Sequence, residues 1–386
     1  MSIARAYTLS NGIRMPYVGL GTYRVRDQAT LDTCLLEALR AGYRLIDTAA
    51  VYRNEAAIGS SLKRILEQNL VPGLTREDIF LTSKLAPKDQ GYETCLQAVQ
   101  DSLKNLGVDY IDLYLIHWPG TAKLKLPDPQ NAINRSESWR ALEDLYHARK
   151  LRAIGVSNYT LAHLSQLVER PHHSRSPAQT SSLPHPGSPL PTGAGTHGSR
   201  TMVIPHVHQF ELHPRLFQRD MVDYCQHHRI QVQAYSSLGE GRLISLTPPP
   251  PPEMDAHYNA APMPGALDIM PDLIRKYFPL PSPPPPPNTS ADMMDIDANP
   301  GGLQLLQESS DMRQKNEYSK RAAQILLRWG LQHGAVVIPK STHPDRIRDN
   351  IDLFSFEIDA DDMNALDAYS TPGERTRYCW DPTDVY

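Results

Sequence analysis

Arg44-Leu45-Ile46-Asp47-Thr48-Ala49-Ala50-Val51-Tyr52-Arg53-Asn54-Glu55 is the stretch that decides the fold. Leu45 and Ile46 read as the end of a short buried strand. Asp47 stands where the apolar run should continue, and a carboxylate there is costly unless it is paired. Tyr52 follows five residues later, just before a helical pattern that opens at Asn54-Glu55 and runs through Ile58, Leu62, Ile65 and Leu66. Two further strand-like runs end in chemistry-bearing residues: 79–83 leads into Lys84, and 111–116 leads into His117. Catalytic groups at the C-terminal ends of several successive strands are how a (β/α)8 barrel carries its chemistry.

Outward from these runs, short apolar strands alternate with amphipathic helices, the pattern of parallel strands joined by right-handed crossovers. A turn at Asn11-Gly12 precedes a first barrel strand over 16–21. A helix over 28–41 presents Leu31, Cys34, Leu35, Ala38 and Leu39 on one face, and Gly42 stops it in the left-handed conformation common at helix ends. The third helix spans 92–106 and the fourth strand 110–116. A long loop from Trp118 to Asn134 then leads to a helix over 137–149. Strands over 152–156, 207–211, 230–235 and 335–338 follow, separated by helices over 161–169, 217–228 and 303–333 and closed by one around Arg346. That makes eight strand–helix units. A doubly wound sheet would need a GxGxxG turn after its first strand. Gly19-Leu20-Gly21 is too short for it.

The chain has 386 residues and 34 prolines, unevenly placed: six lie in 171–191 and fifteen in 248–287. Removing those tracts with their flanks leaves roughly 300 residues, the size of one barrel with trimmings. The tract 172–200 is Ser/Pro/Gly/His-rich, cannot bury a core, and is predicted to be disordered. Its histidines lack neighbouring strands to fix them, so a solvated loop is preferred to a metal site. The tract 247–302 holds two five-proline runs, expected to form extended polyproline spacers, with one short helix between them over 266–278. The expected architecture is thus a single barrel domain over 1–386, with one disordered insertion before strand 6 and a second in the loop after strand 7.

A net charge of −4 gives no sign of a nucleic-acid binder. No apolar run reaches the ~20 residues needed to span a bilayer, and residues 1–6 lack a signal-peptide core. Cys34, Cys95, Cys225 and Cys379 are widely spaced, without a metal-ligand rhythm. Reduced thiols in a cytoplasmic protein are expected, and no metal site.

The chain resembles the aldo-keto reductase family. The resemblance rests on Gly19-Leu20-Gly21-Thr22-Tyr23, the stretch from Ile46 to Glu55, Leu115-Ile116-His117-Trp118-Pro119 and Gly155-Val156-Ser157-Asn158. It continues in Gln209-Phe210-Glu211-Leu212-His213-Pro214, Ala234-Tyr235-Ser236-Ser237-Leu238-Gly239 and Ile338-Pro339-Lys340-Ser341-Thr342. These phrases stand in the family's order and cover about 7–383, apart from the two tracts. The resemblance implies an NADPH-dependent reductase of aldehydes or ketones, a cytoplasmic monomer without nucleic-acid or membrane partners.

In that scheme Tyr52 protonates the carbonyl oxygen as hydride arrives, Lys84 lowers the cost of the phenolate, Asp47 pairs with Lys84, and His117 orients the oxygen. Thr22, Ser157, Asn158 and Gln209 match polar groups around the nicotinamide, and Tyr235 the aromatic beneath its ring. Ser236 and Leu238 match the pyrophosphate side. Lys340, Ser341, Arg346 and Asn350 match the grip on the 2′-phosphate. Glu240 and His343 depart from the common pattern. Tyr23, His117, Trp118 and Trp380 would line an aromatic substrate pocket. The alternative is a regulatory, non-catalytic relative that binds the cofactor. An intact Asp47, Tyr52, Lys84 and His117 set argues against it.

Overall fold

The structure is a computed structural model that describes residues 5–169, 202–246, 264–279, 300–371 and 375–385, with no side-chain description for 300–310. Two short strands, β1 (Ala6–Thr8) and β2 (Arg14–Pro16), pair antiparallel. Eight parallel strands follow, each hydrogen-bonded to the next in chain order. They are β3 (Gly19–Gly21), β4 (Leu45–Asp47), β5 (Phe80–Leu85), β6 (Ile111–Ile116), β7 (Leu151–Ser157), β8 (Val207–Glu211), β9 (Gln231–Tyr235) and β10 (Val336–Val337). The ends meet: Val18 bridges Val337 in parallel, the Val337 amide donates to Tyr17 O at 3.0 Å and the Gly21 amide to Pro339 O at 3.0 Å. The sheet therefore curls into the expected (β/α)8 barrel.

The helices on its outside are α1 (Gln28–Ala41), α2 (Glu55–Glu67), α3 (Tyr92–Leu106), α4 (Gln130–His147), α5 (Leu161–Val168), α6 (Arg219–His227), α7 (Met270–Tyr277), α8 (Pro300–Gln332), α9 (Pro344–Asp349) and α10 (Ala360–Asp367). The predicted face of α1 is the buried one, Asp27 caps its first turn, and Gly42 ends it at φ 102°. Two boundaries differ from the sequence reading. The predicted first strand over 16–21 divides, because β2 belongs to the hairpin and only 19–21 pair with β4. The predicted loop over 118–134 is shorter, because α4 starts at Gln130. Buried Asn131 ties this early turn to the loop before it: its Oδ1 accepts the Thr121 amide and its Nδ2 donates to the Lys125 and Leu126 carbonyls.

Strand parity divides the interior in two. Leu45, Phe80, Leu113, Leu115, Ala153, Val207, Val336 and Ile338 pack with Leu9 and Met15 of the hairpin region into one apolar cluster within the barrel. The opposite parity, with Ile46, Leu81, Tyr114, Ile116, Ile154 and Val232, joins the helices in the larger core. Side chains two residues apart on a strand share a face. Asp47 therefore shares the inward side of Leu45, Lys84 that of Phe80, and His117 that of Leu115. The barrel is apolar below and polar at its C-terminal mouth.

The tract 172–200 lies outside the described residues, as do 247–263 and 280–299 of the second tract. The short helix expected within the second tract is α7. It is no surface spacer: Leu267, Met270 and Leu273 are at most 1% exposed and pack into the main core. Lys276 and Tyr277 hold Asp362 of α10 at 2.7 and 2.6 Å.

Candidate active site

β4, β5 and the start of the loop after β6 deliver three of the four proposed catalytic groups, and a short 3-10 turn over Ala50–Tyr52 delivers the fourth. The Lys84 ammonium lies 2.5 Å from Asp47 Oδ1, donates to Thr48 O at 2.8 Å and stands 3.5 Å from the Tyr52 hydroxyl. Lys84 is 0% and Asp47 2% exposed. Each charge offsets the desolvation of the other, and removing either leaves the other buried alone. The His117 ring packs edge-on to Tyr52 at 5.8 Å. Its backbone oxygen accepts from Asn158 Nδ2 at 2.9 Å.

Burial first, and then the Asp47 carboxylate, push the Tyr52 phenol well above its ordinary value of 10.0. Burial also lowers Lys84, against the pull of Asp47. Burial, with Lys84 nearby, drives His117 well below 6.5. His117 is therefore a neutral imidazole and Tyr52 a neutral phenol across the physiological range. Nδ1 of His117 has no partner among the described residues.

Around this group, the polar residues assigned to the cofactor fall into two sets. Ser157, Asn158, Gln209 and Tyr235 meet at the mouth. Asn158 Nδ2 donates to Ser157 Oγ at 3.1 Å, and the Tyr235 hydroxyl donates to Asn158 Oδ1 at 2.6 Å. Gln209 uses both amide hydrogens within the protein, on Asp47 Oδ2 at 2.7 Å and Gln233 Oε1 at 2.9 Å. Only its carbonyl oxygen remains to face a ligand. Thr22 spends its hydroxyl on Asp47 O at 2.9 Å, so it shapes the strand end. Asn158 and Ser236 hold left-handed backbone at φ 61° and 50°. Strain of about 1–3 kcal/mol at such positions collects where geometry serves a ligand. Ser236 Oγ lies 3.2 Å from Cys379 Sγ, and Leu238 packs against the main core. Glu240 also has left-handed backbone, at φ 55°.

Lys340, Ser341, Arg346 and Asn350 lie beyond β10, in and around α9. Ser341 and Asn350 are buried and Lys340 and Arg346 exposed. Ser341 Oγ accepts the His343 amide at 3.1 Å, which shapes the turn into α9. Neither exposed cation has an ion-pair partner among the described residues. Tyr23 stacks obliquely on Tyr52 at 5.0 Å, and Trp118 on Trp380 at 4.4 Å. The predicted aromatic rim therefore converges from β3, β6 and the C-terminal tail. Among the described residues no cluster of three His, Cys, Asp or Glu side chains could hold a metal, and no helix is long and apolar enough to cross a membrane.

Three residues in the site went unassigned from the sequence. Asn54, read only as a helix start, joins two loops: its amide donates to Thr22 O and Val25 O and accepts from Thr48 Oγ1 at 2.6 Å. Gln233 aligns Gln209. Glu211 is buried under the tail. The period-two parity of β8 and β9 was the available signal for the last two, since Gln209, Glu211 and Gln233 share one inward face.

The parallel barrel thus sets a buried lysine–aspartate pair against a tyrosine, with a histidine beside it. The chain belongs to the aldo/keto reductase family, whose model matches residues 17–371. An uncharacterized oxidoreductase, YtbE, of Bacillus subtilis is 34% identical over 361 residues, covering 94% of this chain and 91% of that protein. A glyoxal reductase of the same organism is 32% identical over 367 residues, covering 95% and 93%. A crystal structure of an aldo-keto reductase from a deep-sea metagenome library matches with TM-score 0.63 and 30% identity over 95% of both chains. A Bombyx mori aldo-keto reductase in complex with NADP matches with TM-score 0.66 and 27% identity, covering 98% and 96%.

Proposed function

We propose that this protein reduces aldehydes or ketones to alcohols with NADPH, Tyr52 being the proton donor. The observation that carries the proposal is the placement of the Tyr52 hydroxyl 3.5 Å from a lysine that is itself bound to Asp47. The described residues suit a nicotinamide dinucleotide: a tyrosine face at Tyr235, a free carbonyl oxygen on Gln209, and unpaired cations at Lys340 and Arg346. Bound there, the dinucleotide would supply hydride to the carbonyl carbon.

The chain's own groups handle the oxygen. Neutral His117 orients the carbonyl by hydrogen bond, and cannot compete as the acid because burial keeps it unprotonated. Tyr52, protonated by its high pKa, gives its proton only when a stronger base, the developing alkoxide, forms beside it. Lys84 then steadies the phenolate while Asp47 keeps the ammonium in place. The aromatic rim of Tyr23, Trp118 and Trp380 favours an apolar carbonyl compound.

Tyr52→Phe tests the assignment. It should retain NADPH binding and lose at least ~10²-fold in kcat, the usual worth of a positioned proton donor. NADPH consumption at near wild-type rate on a panel of aldehydes and ketones would remove Tyr52 from the role. Binding of NADPH by the wild-type protein without turnover of any carbonyl compound would favour the regulatory alternative.

A further inference from the structure

One buried carboxylate ties the C-terminal tail to the barrel mouth. Glu211, the last residue of β8, is 0% exposed. Its Oε1 accepts the Tyr378 amide at 2.6 Å and its Oε2 the Cys379 amide at 3.2 Å. His213 Nε2 lies 3.1 Å from Oε1 and Arg377 Nη1 3.8 Å from Oε2. Tyr378 is itself fully buried: its ring stands 5.0 Å from that of His213, and its hydroxyl donates to Pro264 O at 2.8 Å. One residue past this clamp, Trp380 is 42% exposed and rests on Trp118, next to His117.

Among the described residues, 375–385 form no strand or helix. Backbone donors aimed at an ionised acceptor make hydrogen bonds roughly twice as strong as neutral ones. Clamp and tail are also mutually dependent. Without Glu211 two N–H groups lose their partner, and without the tail a buried charge loses two donors. Beyond the clamp the chain is held elsewhere: the Thr376 amide donates to Arg215 O at 2.9 Å, and His163 Nε2 lies 2.7 Å from Val385 O. Release at Glu211 would therefore loosen the segment between these points and leave the barrel intact. Among the described residues, the hydrogen bonds and ion pairs of the Glu211 side chain go to Tyr378, Cys379, His213 and Arg377, not to Asp47, Lys84 or Tyr52.

We propose that Glu211 is the positioning residue for substrate specificity: by clamping 377–379 it sets Trp380 as one wall of the aromatic rim. The proposal rests on the carbonyl-reductase reading of the pocket, since it assigns that rim to the substrate. Rim contacts act on binding of the part of the substrate remote from the carbonyl. Loss of the clamp should therefore penalise a large aromatic carbonyl compound far more than a short one.

The test uses the full-length protein, with Glu211→Gln as the volume-conserving variant and Glu211→Ala as the deletion. Amide hydrogen exchange should accelerate in peptides spanning 377–381 of either variant, with barrel peptides unchanged. The ratio of kcat/KM for benzaldehyde to that for propanal should fall at least about tenfold, mainly through KM for benzaldehyde. Trp380→Ala, which alters an exposed side chain and does not threaten folding, should give the same change in ratio. The double variant Glu211→Gln/Trp380→Ala should then be no worse than the worse single. Unchanged exchange in Glu211→Gln, an unchanged ratio, or two defects that multiply would each overturn the proposal. A wild-type protein that reduces neither aldehyde fails the functional reading instead, and the exchange result still decides whether Glu211 holds the tail.

Discussion

Gln209 donates from Nε2 to Asp47 Oδ2 at 2.7 Å, across 162 residues of chain. Asp47 thus serves two masters, the Lys84 ammonium through one oxygen and the Gln209 amide through the other. A residue matched to cofactor binding is directly hydrogen-bonded to the ion pair of the proposed catalytic group.

Gln209→Glu should reveal that bond through pH. Two carboxyl groups at this spacing cannot both ionise, so the new carboxyl would have its pKa raised above the ~4.3 of an unfolded chain. A raised folded-state pKa means stability that is present at low pH and lost as pH rises through that value. The variant should therefore fall progressively further behind wild type from about pH 5 to pH 8 in urea unfolding. An equal deficit at both pH values would show that the two side chains are not in contact.

Wild-type stability should run the other way on the acid side. Burial lowers His163 and His206 to about 4 and His208 to about 3. Their folded pKa values lie below the unfolded ~6.5, so their contribution is fully present above that pH and lost as pH falls toward 4. The unfolding midpoint should drop steeply between pH 6.5 and 4.5, and His208→Gln should flatten the slope. A slope unaffected by that substitution would mean His208 is not held neutral.

Arg346→Ala probes cofactor choice. Its guanidinium is exposed and has no ion-pair partner among the described residues. Removal should weaken NADPH by ~1.5–3 kcal/mol, the range for hydrogen bonds to charged groups, and leave NADH, which lacks the 2′-phosphate, nearly unchanged. Titration of both dinucleotides by fluorescence decides it. Equal weakening would make Arg346 a structural residue.

Leu273→Ala asks whether α7 is part of the fold or a passenger between proline runs. Leu273 is 1% exposed, and a buried Leu→Ala change costs about 2–5 kcal/mol. Chemical denaturation should show that loss. A change below about 0.5 kcal/mol, as at surface positions, would mean α7 is not packed on the barrel.

Much of this molecule was legible in its sequence because the relevant signals are local. Period-two parity separates Asp47 from Ile46 and Lys84 from Leu85. Helical periodicity picked out the buried face of α1, and Gly42 its end. Ordered motifs pointed to the family and to the four proposed catalytic residues. Boundaries were less legible where side chains of a loop set them, as at the start of α4, where Asn131 is hydrogen-bonded to Thr121 of the preceding loop. The state of Tyr52 was decided only by the assembled barrel. Desolvation depends on everything packed around a group, and the Asp47 carboxylate adds to it. The same holds for Gln209 on Asp47 and Glu211 on Tyr378: partners separated by more than 160 residues leave no pattern in either local segment. Their hydrogen bonds exist only because the closed sheet brings β4, β8 and the tail to one mouth.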